Sequence, residues 1–180
     1  MFQFNNLTTH HFRNKDKGFT LVELILAIFV ITVGLIGVYG VYSRIIFYTA
    51  VSISRLTASY LAQEGIEIVR NIRDTNWLEE TSWNEELDAG NWEADYEDDS
   101  LRHCSSPCDY NNLRFLYIDG NFYKYSSSGT QTKFKRKITI EPGTDSAGKE
   151  ILEVKVDVLW DEKGKSYEVA VQENLYDWFR

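Results

Sequence analysis

Gly18-Phe19-Thr20-Leu21-Val22-Glu23 opens the stretch that decides the fold, and an apolar run continues from it to Val41-Tyr42. Within Phe19–Tyr42 the one strongly polar residue is Glu23, with Thr20 and Thr32 as milder exceptions. Leu24 to Tyr42 is long enough to cross a bilayer core of about 30 Å as a helix rising ~1.5 Å per residue. On the N-terminal side stand Arg13, Lys15 and Lys17. By the positive-inside rule they hold that end in the cytoplasm, so the chain after Tyr42 faces away from it.

A secretory signal peptide has a shorter apolar core with a small-residue cleavage site after it. Here the run is longer, and the glycine lies in front of it. A plain signal anchor has no use for Glu23. A carboxylate at mid-bilayer costs roughly 2.5–3.5 kcal/mol on insertion scales, and less near the interface. Glu23 lies at the helix start, where its charge complements the helix dipole.

These residues carry a resemblance. The basic leader, the six positions Gly18 to Glu23 and the apolar run are similar to the processing segment of type IV prepilins and type II secretion pseudopilins. The resemblance implies that a membrane prepilin peptidase cuts the Gly18–Phe19 bond and methylates the new amine of Phe19. It also implies that Glu23 pairs with the N-terminal amine of a neighbouring subunit. The physics agrees: a lone carboxylate in lipid is unfavourable, and a cationic amine in a filament core relieves it. Breaking one side of such a buried pair typically costs ~3–5 kcal/mol, so Glu23 can select axial register.

Beyond the membrane segment the helix is expected to continue. Leu61, Gly65, Ile68, Val69 and Ile72 fall on one face and Ser59, Gln63, Glu67, Arg70 and Asp74 on the other, a helical period with a packed side and a wet side. A helix from Phe19 to about Asn76 is roughly 87 Å long. Gly34, Gly37 and Gly40 recur every third residue in its apolar half. Tolerance of small residues in membrane helices accounts for them; close helix–helix approach or local unwinding is the functional alternative. The stretch Tyr60-Leu61-Ala62-Gln63-Glu64-Gly65-Ile66-Glu67 is similar to helices of minor pilins and minor pseudopilins.

From Trp77 to Tyr110 the pattern is irregular. Eleven carboxylates and no Lys or Arg lie between Asp74 and Asp99, interspersed with Trp77, Trp83 and Trp92. The plain reading is a folded surface loop, with tryptophans over the sheet edge and solvated acids, and room for short helices or a small strand. A calcium site and a partner-binding surface are the alternatives; the spacing matches no defined calcium loop. Cys104 and Cys108 frame Cys-Ser-Ser-Pro-Cys. In an exported domain a local disulfide is favoured, stabilising by about 2 kcal/mol on the chain-entropy model. Free thiols come next, and a metal site with His103 lacks a fourth ligand.

From Leu113 the period changes to two. Leu113–Ile118 and Phe122–Tyr125 flank the turn signal Asp119-Gly120. Phe134–Ile140 is a strand with Phe134, Ile138 and Ile140 on one face, where Arg136 also falls and calls for an explanation. Leu152, Val154, Val156, Val158 and Trp160 alternate with mostly polar residues, so this strand has one buried and one largely wet face. Lys163-Gly164 turns the chain, Tyr167, Val169 and Val171 return it, and the tail Leu175–Arg180, with Tyr176, Trp178 and Phe179, docks on the body.

The expected fold is α+β: a long N-terminal helix packed on an antiparallel meander of four or five strands. The organisation read from the chain is a leader at 1–18, a membrane and assembly helix at 19–42, its amphipathic continuation at 43–76, an acidic variable region at 77–112 and the sheet at 113–180. A net charge of −8 argues against general nucleic-acid binding. His10, His11 and His103 are the only histidines, thin material for a nucleophile and base. No nucleotide motif appears and no cofactor is implied. The resemblance implies a structural subunit whose partners are other pilin or pseudopilin subunits, the prepilin peptidase, an inner-membrane assembly platform and, before assembly, lipid. A membrane-anchored sensor or binding protein with a pilin-like anchor is the alternative.

Overall fold

The computed structural model describes residues 18–98 and 100–178. Arg13, Lys15 and Lys17, His10 and His11, Asp99 of the acidic region and Phe179 and Arg180 of the tail lie outside the described residues. The chain divides into two compact units, Met1–Phe47 and Tyr48–Arg180. One helix, α1 (Leu21–Leu78), contributes to both, as the uninterrupted helical pattern and the lack of proline before Pro107 predict.

In the first unit α1 is apolar all round. Its large apolar side chains, from Leu21 to Tyr42, are all exposed. The helix is unbroken through Gly34, Gly37 and Gly40, and a Cβ added at any of the three would meet open space. Thr32 satisfies its hydroxyl internally by donating to the Ile28 carbonyl at 2.7 Å, which suits a hydroxyl in an apolar medium.

The second unit is the head. The expected helix face is the buried one: Leu61, Gly65, Ile68, Val69 and Ile72 are all buried, while Gln63 and Glu67 are exposed. Seven strands form one antiparallel sheet: β1 (Gly90–Glu93), β2 (Arg102–His103), β3 (Phe115–Asp119), β4 (Phe122–Lys124), β5 (Thr130–Thr144), β6 (Glu150–Glu162) and β7 (Lys165–Tyr176). Strands β5, β6 and β7 form a continuous meander. The other edge of β5 is shared, with β3 pairing over Thr130–Lys135 and β1 over Ile138–Ile140. The expectation of four or five strands in simple order is therefore corrected. Two short strands come from the acidic region, and β1 inserts beside β5 because the long strand leaves half of that edge unpaired by β3.

The core lies between the sheet and the head part of α1. Val154, Val156, Val158 and Trp160 of β6 meet Phe134, Ile138 and Ile140 of β5 and Ala62, Val69 and Ile72 of the helix. Each such aliphatic side chain contributes about 1.5–3 kcal/mol on burial. Gly65 lets the two layers approach: a Cβ there would lie 2.8 Å from Val156 Cγ1 and 3.2 Å from Arg136 Cδ. At the β3–β4 hairpin Asp119 pairs with Phe122, so the two-residue turn is Gly120-Asn121 and Gly120 takes a positive φ of 66°. Lys163 (φ 50°) and Gly164 (φ 76°) form the predicted turn between β6 and β7. The tail docks in part: Leu175 is buried, Asp177 accepts a bond from Trp77 Nε1 at 3.1 Å, and Trp178 meets Trp77 edge-on at 4.8 Å while remaining 67% exposed.

Candidate functional site

The site begins at the N-terminal end of α1. Gly18 and Phe19 precede the helix and are exposed. Thr20 caps it: the Thr20 carbonyl accepts from Leu24 N at 3.1 Å, and its Oγ1 accepts from Glu23 N at 3.3 Å. Thr20-Leu21-Val22-Glu23 has the Thr-x-x-Glu spacing of a capping box, in which the cap hydroxyl satisfies an otherwise orphaned amide. The cap explains why regular helix starts after the Gly18–Phe19 bond and leaves that bond outside it. Glu23 is the acidic residue of the first turn, near the positive end of the helix dipole. Thr20 is the residue sequence reasoning passed over, reading it only as a mild polar exception; its signal was the spacing to Glu23. Gly18 has open space where a Cβ would stand, so packing against the described residues does not call for glycine there.

At the other end of the apolar run, Tyr39, Tyr42 and Tyr48 bracket Arg44 on exposed positions of the helix. Amphipathic rings and a cation are the usual anchors at a membrane–water boundary. The helix is long and apolar enough to cross a membrane.

Residues 13–39 match the family model of the prokaryotic N-terminal methylation motif. With the exposed apolar helix, the motif fits a type IV pilin-like protein. No curated protein and no solved structure matches the chain. The motif takes in the basic residues before the helix and most of the apolar run, and ends before the second unit. It points to a structural family and to processing of the pilin kind.

The second unit holds the remaining predicted residues. Cys104 and Cys108 form the local disulfide, with Cα atoms 5.7 Å apart. Beside them His103 stacks on Trp92 at 3.8 Å across the β1–β2 pair. The acids of the variable region are not uniformly solvated, which corrects the plain sequence reading. Glu93 and Asp95 are buried. Glu93 accepts from Arg114 N at 2.7 Å and Arg114 Nε at 2.8 Å, and Asp95 accepts from Tyr125 N at 2.7 Å and Glu97 N at 3.0 Å. Between them the Ala94 carbonyl accepts from Arg136 Nη2. Three successive residues thus clamp the acidic region to the residue before β3, the residue after β4 and β5, and the two buried carboxylates are occupied by protein donors. Trp77, Trp83 and Trp92 are buried with them.

Arg136, the residue left unexplained on the apolar face of β5, is fully buried. It donates to the Leu61 carbonyl at 3.0 Å and to Glu64 Oε1 at 3.0 Å, as well as to Ala94. It therefore joins helix, sheet and acidic region at one guanidinium. Tyr125 closes over it, its hydroxyl donating to the Arg136 carbonyl at 3.2 Å, and burial pushes the Tyr125 phenol well above its ordinary pKa. Asp157, expected on the wet face of β6, is only 2% exposed. Lys155 at 2.8 Å and Lys137 at 3.2 Å cover it. Burial opposes its charge, but the ammonium groups of Lys155 and Lys137 prevail and hold its pKa below the ordinary carboxylate value.

Proposed function

We propose that this chain is a structural subunit, a minor pilin or pseudopilin, of a type IV pilus or type II secretion-like filament. In this reading prepilin peptidase cuts between Gly18 and Phe19 on the cytoplasmic side of the inner membrane and methylates Phe19. The mature chain waits in the lipid and is then drawn by a membrane assembly platform into an extracytoplasmic filament. The observation that carries the reading is the methylation motif, which runs over the start of α1 where the large apolar side chains from Leu21 to Tyr42 are all exposed. Such a helix gains by exchanging lipid for the like helices of neighbouring subunits. Glu23 then meets the N-terminal amine of another subunit and exchanges an isolated charge for a paired one. The minor-subunit role is supported by the Tyr60–Glu67 stretch and by a head whose exposed acids between Glu79 and Asp98 give it individual surface chemistry.

Mass spectrometry of the mature N-terminus tests the processing step. A chain beginning at N-methylated Phe19 is the expected result; a mature chain retaining Met1, or one cut after Tyr42, overturns it and favours a membrane-anchored sensor or binding protein. Glu23→Ala tests assembly. Cleavage proceeds as in the wild type, while incorporation into sheared filaments falls by about tenfold or more, as an amine left without its counter-charge implies. Equal incorporation of the mutant would remove Glu23 from the mechanism.

A further inference from the structure

The sheet has three outer edges of unequal kind. Strands β2 and β4 are two and three residues long, the short edges by which sheets ordinarily avoid further pairing. β7 is twelve residues long and pairs with β6 alone among the described residues. At ~3.3 Å per residue its open side runs for about 40 Å. Two of the usual guards, proline and a bulge, are missing from it, and its helix-facing Glu173 is already paired with Arg70 of α1. The two prolines of the chain are Pro107 and Pro142, outside β7. The β6–β7 register runs one-for-one from Ile151↔Tyr176 to Glu162↔Lys165 without a bulge. On the helix side of the sheet, Tyr167, Val169 and Val171 of β7 pack against the core but remain half-buried. The apolar layer is thus incomplete along β7, where a further strand would cover it.

We propose that the free edge of β7 receives an extended segment of another protein, added as an antiparallel strand with apolar residues at alternate positions and a basic residue on the opposite face. Unpaired main-chain groups supply the affinity, and alternate side chains supply the selectivity. The basic position follows from Glu168, which is exposed on the face away from the helix, within a chain of net charge −8. A second copy of this chain fits less well, for a reason that rests on the filament reading. Ser54 of α1 reaches Lys133, which bonds Glu162 next to the start of β7; Arg70 reaches Glu173, and Trp77 reaches Asp177 just beyond its end. The head part of α1 and β7 therefore run in the same direction. Two copies joined antiparallel through β7 would have opposed helices, whereas subunits drawn from one membrane into one filament keep theirs parallel.

The test uses the full chain in zwitterionic detergent micelles and does not depend on processing or assembly, so its outcome is separable from that of the filament reading. The probe is a synthetic peptide of alternating valine and lysine, with a valine–glutamate peptide as comparison. Amide hydrogen exchange is followed along β7. The valine–lysine peptide is expected to slow exchange of alternate β7 amides by about tenfold or more. It should bind about threefold more tightly than the valine–glutamate peptide, the effect of one cross-strand charge pair. Glu168→Lys, an exposed change, should reverse that order. Val171→Lys should weaken both peptides by about tenfold, because an inward charge guards an edge; unchanged exchange in β5 and β6 verifies that the variant is folded. Peptide binding without protection of β7 overturns the proposal, as does no binding by either peptide. Protection of β7 that rises with protein concentration alone overturns it in favour of self-pairing.

Discussion

Arg136 is the residue whose removal would be felt furthest. Its guanidinium holds two main-chain carbonyls, Leu61 and Ala94, and the half-exposed Glu64. Arg136→Ala leaves those acceptors unsatisfied and opens space between helix and sheet. Losing charged hydrogen bonds costs ~1.5–3 kcal/mol each when partners stay buried, and the cavity adds to that. The variant is therefore expected to lose about 3 kcal/mol or more, read as a lowered urea midpoint of the tryptophan signal of the full chain in micelles. A midpoint within error of the wild type would show that the guanidinium is not the junction described. In the sequence Arg136 falls on the apolar face of its strand with no partner in view. Its acceptors lie 75 and 42 positions away, and no local pattern names such partners. Partners 21 and 30 positions away likewise conceal the roles of Glu93 and Asp95, which read as any acids in an acidic run.

At the scale of the element, α1 carries two demands. Its first half must be apolar all round, and its second half must present one close-packed stripe to β5 and β6. Gly65 shows the conflict between helix propensity and packing. Exchanging glycine for alanine inside a helix stabilises by ~1 kcal/mol when space allows. Here the new methyl would stand 2.8 Å from Val156 Cγ1, and overpacking of this kind typically costs ~1–3 kcal/mol. Gly65→Ala is expected to destabilise by about 1 kcal/mol net, and Val156→Ala to cost less in the Gly65→Ala background than in the wild type. Strictly additive urea midpoints in the double mutant would refute the contact. The stripe containing Gly65 was legible from its spacing. The requirement for glycine at that position was not, because it depends on a valine 91 residues further along the sequence.

Across the whole head, carboxylates held by lysines set the response to acid. Asp157 has a pKa below the ordinary value, burial being outweighed by the paired ammonium groups of Lys155 and Lys137. Glu162 is lowered chiefly by its hydrogen bond from Lys133, and Asp119 by that from Lys124. Since the folded pKa is the lower one in each case, these groups bind fewer protons folded than unfolded. Their stabilisation is present above the unfolded carboxylate value of about 4, and is lost as pH falls through the folded values. Urea midpoints should therefore hold between about pH 5 and 8 and decline below about pH 4. Asp157→Asn should lower the midpoint at pH 7 and make the acid decline shallower. An acid decline as steep in the variant as in the wild type would remove Asp157 from this account.

The sequence by itself determined the features written in contiguous residues: the apolar helix with its early carboxylate, the amphipathic stripe, the alternation of β6, and the turns at Gly120 and Lys163-Gly164. Those depend on spacing along the chain, which a period of 3.6 or 2 exposes directly. Only the tertiary structure decided that the acidic region adds two strands, that β5 divides one edge between β1 and β3, and that Arg136, Glu93, Asp95 and Asp157 are buried. Whether a polar group can be buried depends on donors and acceptors brought to it by other segments. Their positions are fixed by the folded chain and not by its order.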